Sequence, residues 1–146
     1  MEPGTGIATV GHAIQLSVAP VFLLSGIGAF LAVMTNRLAR VVDRARLAET
    51  RLAQEGTTDL GHLHAQLATY WRRAKLINRA ITLCTVTALL ICAVVATLFM
   101  GAFLEFDASL TVAILFVTAM SSLFIGLLFF LREIFVATAS LRIGPR

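Results

Sequence analysis

Three long stretches of the chain carry no Asp, Glu, Lys or Arg: Ala13 to Met34, Ala80 to Leu104 and Ala108 to Leu131. A helix needs about 20 apolar residues to cross the hydrocarbon core of a bilayer, so each stretch is long enough to span. Between the first and the second, from Arg37 to Arg79, apolar residues instead recur at alternating steps of three and four on both sides of a polar turn. Leu38, Val41, Ala45, Ala48 and Leu52 make one seam; Leu60, Leu63, Leu67, Tyr70, Ala74 and Ile77 make the other. That pattern predicts an antiparallel helical hairpin packed as a coiled coil, with Gly56 to Asp59 as its turn and Thr58 or Asp59 as a helix cap. Arg51 has Asp59 and Glu55 as nearby charge partners.

The expected fold is therefore an all-α integral membrane protein with three transmembrane helices and a cytoplasmic antiparallel helical hairpin between the first and second. In order, the expectation is a flexible outer tail (1–9), transmembrane helix 1 (10–36), the hairpin (37–79), transmembrane helix 2 (80–104), an outer turn (105–109), transmembrane helix 3 (110–131) and a cytoplasmic tail (132–146). No Gly or Pro separates Met34 from the arginines that follow, so the first span and the first hairpin arm read as one continuous helix. Pro20 predicts a kink, because it leaves the Leu16 carbonyl without a helical donor, with Ser17 or a neighbouring helix to compensate. Ser25, Gly26, Gly28, Ala29 and Ala32 clear bulk from one side of this helix. Ala88, Cys92 and Ala96, and then Thr118, Ser122 and Gly126, do the same on the other two, which invites close helix contact. Asp107 or Ser109 is expected to cap the third span, whose helix should continue through Arg132-Glu133-Ile134-Phe135 and fray near Gly144-Pro145.

Composition agrees with the pattern. With 58% apolar and 14% charged residues, the chain has too little polar surface for a soluble globule. All twelve basic residues fall on one side of the proposed topology, which makes that side cytoplasmic and puts the amino terminus outside. Positive-inside topology and attraction to anionic lipid account for the net charge of +4, so no nucleic-acid partner is expected. Met1 to Gly11 contains no Lys or Arg, so the first span is expected to stay in place and not to be cleaved as a signal peptide. Tyr70, Trp71, Arg72, Arg73, Lys75 and Arg79 mix rings and cations as an inner membrane interface requires.

Candidate chemistry is sparse. His62 and His64 are two apart on a helix and point to different faces, Cys84 and Cys92 read as small packing residues inside the second span, and no phosphate loop, nucleophile elbow or paired carboxylates are found. No enzyme, cofactor or metal site is expected. The absence of ionisable residues within the spans also argues against a proton- or ion-coupled single-chain transporter.

Pro20 with Leu-Leu-Ser-Gly-Ile-Gly, then Asn36-Arg37-Leu38-Ala39-Arg40 and Asp43-Arg44-Ala45-Arg46, resembles a family of small bacterial three-span membrane proteins catalogued as a domain of unknown function. The resemblance runs from about His12 to Phe135 and implies a bacterial inner-membrane location, with no activity or catalytic residues to carry over. Two functional expectations follow from the residues. One is a homo-oligomeric pore lined by Gln15, Ser25, Ala29 and Asn36, with basic rings of Arg37, Arg40 and Arg44 at its cytoplasmic mouth and Phe116, Phe124, Phe129 and Phe130 facing lipid. The other is a non-conducting membrane-anchored adaptor whose hairpin binds anionic lipid head groups or a partner helix. In either case Asp43 is the expected carboxylate partner of the arginines around it.

Overall fold

The computed structural model of the chain describes residues 3–54, 60–104 and 107–139, and these form three helices: α1 (Pro3–Gln54), α2 (Leu60–Leu104) and α3 (Ser109–Ala139). No strand occurs among them, and each helix contains a segment long and apolar enough to cross a membrane. α1 runs unbroken through Pro20 and through the junction at Arg37, so the expected single long helix is present. It begins at Pro3. Proline's fixed φ suits the first turn of a helix, and its missing N–H costs nothing there. Ser17 does not compensate the Leu16 carbonyl; its hydroxyl donates to the Ala13 carbonyl four residues back, at 2.8 Å. The turn from Gly56 to Asp59, with its cap and the Arg51 pairings, and the chain beyond Ala139 lie outside the described residues.

The chain divides into two compact units. The first combines Met1–Phe30 with Leu83–Phe124. On α1 its buried positions are Ala13, Ser17, Pro20 and Ile27, spaced by threes, fours and a seven, as a stripe facing a neighbouring helix requires. α2 and α3 meet where Leu83 and Thr87 contact Ser122 and Ala119, and Cys84, Ile91 and Val94 of α2 are also buried. Thr87 donates to its own helix at Leu83 O (2.9 Å) and lies 3.3 Å from Ala119 O, while Ser122 donates across to Leu83 O at 3.1 Å. Lipid tails are as apolar as Leu, so such close contacts and cross-helix hydrogen bonds, not hydrophobic transfer, favour pairing inside a bilayer. Cys92 departs from the expected packing role: it is exposed, whereas Cys84 is buried. Eight residues rotate a helix by about 80°, enough to carry the second thiol out of the contact.

The second unit combines Leu31–Thr82 with Ile125–Arg146. Val41, Ala45 and Ala48 on α1 and Leu76, Ile77 and Ala80 on α2 are buried, and Leu38, Leu52, Leu63, Leu67, Tyr70 and Ala74 are half-buried. The seam positions read from the sequence are thus protected on both arms, except Leu60, whose side chain lies outside the described residues. α3 contributes Gly126 and Glu133, one heptad apart and both buried.

Candidate functional site

The second unit buries one carboxylate completely. Glu133 lies in Phe129-Phe130-Leu131-Arg132-Glu133-Ile134-Phe135, and its heptad spacing from Gly126 puts it on the inward stripe of α3 while Arg132 and Phe135 point out. Burying a carboxylate is costly unless it is paired and hydrogen-bonded. Arg73 of α2 supplies both, donating from Nε (3.1 Å) and Nη2 (2.9 Å) to Oε1. Arg37 of α1 brings Nη2 to 3.0 Å from Oε2, close enough for charge attraction but outside hydrogen-bond geometry, so Oε2 has no hydrogen-bond donor among the described residues. The Arg37 guanidinium also lies over the Phe130 ring, 5.3 Å from its centroid, and Arg79 lies over Phe129 at 5.9 Å. Such stacking contributes about 0.5–2 kcal/mol depending on desolvation. Phe129 and Phe130, expected to face lipid, are therefore half-buried partners of arginines, while Phe116 and Phe124 are exposed.

Beside this triad opens a cleft of about 250 Å³ lined by Arg37, Arg40, Val41, Arg44 and Arg73. Steps of three and four along α1 place its three arginines on one face, and the Glu133 contact draws Arg73 to the same place from α2. Arg40 and Arg44 are exposed and have no ion-pair partner among the described residues. Asp43 is not the partner it was expected to be. It is exposed and pairs with no described arginine, because the neighbouring arginines of α1 turn toward the cleft and toward Glu133. Sequence reasoning missed Glu133. The available signal was its register, an acid seven residues beyond Gly126 on a helix whose small residues mark the contact face.

Other expected site residues are placed as follows. Gln15, Ser25, Ala29 and Asn36 are all exposed, and a Cβ built on Gly26 or Gly28 meets nothing within 4 Å among the described residues. Of the expected interface residues, Trp71, Arg72, Lys75 and Arg79 are exposed and Tyr70 is half-buried, whereas Arg73 turns inward. Tyr70 and Trp71 line a smaller cleft of about 150 Å³ against Val42, Ala45 and Glu49. In the first unit, His12 and Asp107 line a cavity of about 430 Å³ with Leu16, Leu98 and Val112. Asp107 accepts from the Ser109 backbone N–H at 3.0 Å and so caps α3; hydrogen bonding from Ser109, side chain first and then backbone, holds its carboxyl below the usual range. No group of three or more His, Cys, Asp or Glu able to hold a metal occurs among the described residues, and the side chain of His62 lies outside them.

Three spanning-length apolar helices, with a guanidinium-lined cleft built on a buried carboxylate, define a multi-pass helical membrane protein. The chain belongs to the family described as "Protein of unknown function (DUF2721)", which matches residues 17–143. No curated protein and no solved structure matches it.

Proposed function

We propose that this chain is a non-catalytic, membrane-anchored protein of the bacterial inner membrane that binds anionic lipid head groups through its second unit, which faces the cytoplasm. One observation carries the reading: four guanidinium groups line a single cleft, and among the described residues Glu133 is the one carboxylate in contact with any of them. Basic pockets between helices at the cytoplasmic surface suit acidic head groups, and each Arg near an anionic surface contributes about 1 kcal/mol of attraction. The positive-inside distribution supports the orientation, and the family resemblance supports the compartment. The test is lipid retention: protein purified in mild detergent from bacterial membranes should carry anionic lipid by native mass spectrometry, and Arg40→Gln with Arg44→Gln should strip it. Unchanged retention would refute the assignment.

A second reading, the homo-oligomeric pore, is favoured by the exposure of Gln15, Ser25, Ala29 and Asn36 beside the bare glycines at 26 and 28. Small residues let helices of separate copies approach closely. In planar bilayers such a pore should pass anions, and Arg40→Glu should move its reversal potential toward cations; absence of current leaves the lipid-binding reading alone.

A further inference from the structure

We infer that the arginine cleft is a site for a phosphate group with at least two negative charges, a phosphomonoester or diphosphate head group, in preference to a singly charged phosphodiester. The inference rests on the lipid-binding reading and narrows it. Charge count is the first argument. Arg37 and Arg73 share one carboxylate, and Arg40 and Arg44 have none among the described residues, so four positive charges lining the cleft face one negative. A singly charged head group leaves two of those charges unanswered, whereas a dianion leaves one.

Geometry is the second argument. Arg40 and Arg44 are four apart on one helix face, where like charges repel, and an anion held between them removes that repulsion. All four cations are arginines, whose planar forks meet phosphate oxygens in pairs, an arrangement for which the point charge of Lys is less suited. Glu133 fixes the Arg73 guanidinium through two hydrogen bonds, so part of the site is set before a ligand arrives. Arg37 touches the same carboxylate without a hydrogen bond and keeps its donors available to the cleft. The position along the chain supplies the third argument. Arg37 is the first charged residue after the uncharged run that includes Ala13 to Asn36, which places it at the depth of phosphates and not in open water.

The experiment titrates the full-length protein in nanodiscs of neutral lipid with phosphatidate, a phosphomonoester, and with phosphatidylglycerol, a phosphodiester, and reads bound lipid by native mass spectrometry; soluble pyrophosphate is the third ligand. At neutral pH phosphatidate should bind about tenfold tighter than phosphatidylglycerol, and the preference should fade as pH drops through about 6, where the phosphomonoester dianion takes up a proton and becomes a monoanion. Arg40→Gln with Arg44→Gln, exposed positions that no fold contact requires, should abolish the preference, and Arg46→Gln, which lies outside the cleft, should leave it intact. Equal affinity for the two lipids would overturn this inference and leave the lipid-binding reading standing. Binding of none of the three ligands would overturn both. Pyrophosphate binding with the same dependence on Arg40 and Arg44, and phosphatidate not binding, would uphold the dianionic phosphate site and overturn its assignment to a lipid.

Discussion

Glu133 takes two hydrogen bonds from Arg73 on one oxygen, and Arg37 meets its other oxygen at 3.0 Å with none. The two arginines are unequal partners. Breaking a buried ion pair costs about 3–5 kcal/mol because the abandoned charge stays buried, and an exposed partner recovers much of that from water. The Arg73 side chain is 12% exposed and the Arg37 side chain 33%. Arg73→Met should therefore destabilise the fold by about 3 kcal/mol and Arg37→Met by about 1 kcal/mol, the range running from buried to surface pairs. Double-mutant cycles with Glu133→Gln, read by thermal unfolding in detergent, check the ranking: coupling to Arg37 equal to or above that to Arg73 would contradict it.

The contact between α2 and α3 in the first unit should be governed by space more than by its polar atoms. Thr87→Val removes hydrogen bonds to Leu83 O and Ala119 O at a cost of about 0.6 kcal/mol, the average for such bonds within membranes. Ala119→Leu forces a large side chain into a fully buried position and should cost about 1–3 kcal/mol. A valine variant less stable than the leucine variant would show the hydrogen bonds to matter more than the packing.

The two thiols should differ in accessibility. Cys92 is exposed on the second span and Cys84 fully buried, so a small apolar maleimide that partitions into detergent should label Cys92 faster than Cys84 in folded protein, and denaturation should abolish the difference. Mass spectrometry of the labelled peptides settles the order, and early labelling at Cys84 would contradict the burial.

The amino end of α3 should weaken in acid. Its capping carboxylate, Asp107, has a folded value below its unfolded one. The stabilisation is therefore complete above the unfolded value and is lost as pH falls through the folded one. Asp107→Ala should lower Tm at neutral pH, and the gap from the parent protein should close as the pH is taken down through the acid range. A gap that widens on acidification would reverse the sign of the argument.

The three helices, the continuity of α1 across Arg37 and the protected seams of the second unit were legible because periodicity and charge-free length are local properties of a chain. Glu133 was not legible in the same way. Its partners lie 60 residues away at Arg73 and on another helix at Arg37, and nothing in the spacing of either segment names the other. Locality misled in the same place: Asp43 sits among the arginines in sequence, yet an exposed carboxylate one residue from Arg44 lies on a different bearing around the helix from the cleft. The glycines of α1 show a further limit. Small residues announce that a neighbour can come close, and a Cβ built on Gly26 or Gly28 meets nothing within 4 Å among the described residues.

The Arg37–Glu133–Arg73 triad also sets an order of events during biosynthesis. Arg37 and Arg73 leave the ribosome long before their shared acceptor, and at about 5–20 residues per second the wait for Arg37 lasts roughly 5 to 20 s. Until then Arg37, and from its own emergence Arg73, lacks the carboxylate that the two share in the finished fold. Arrival of α3 ends the wait, so this helix acts as a latch, and a nascent chain interrupted before Glu133 holds two guanidinium groups without the carboxylate that joins them.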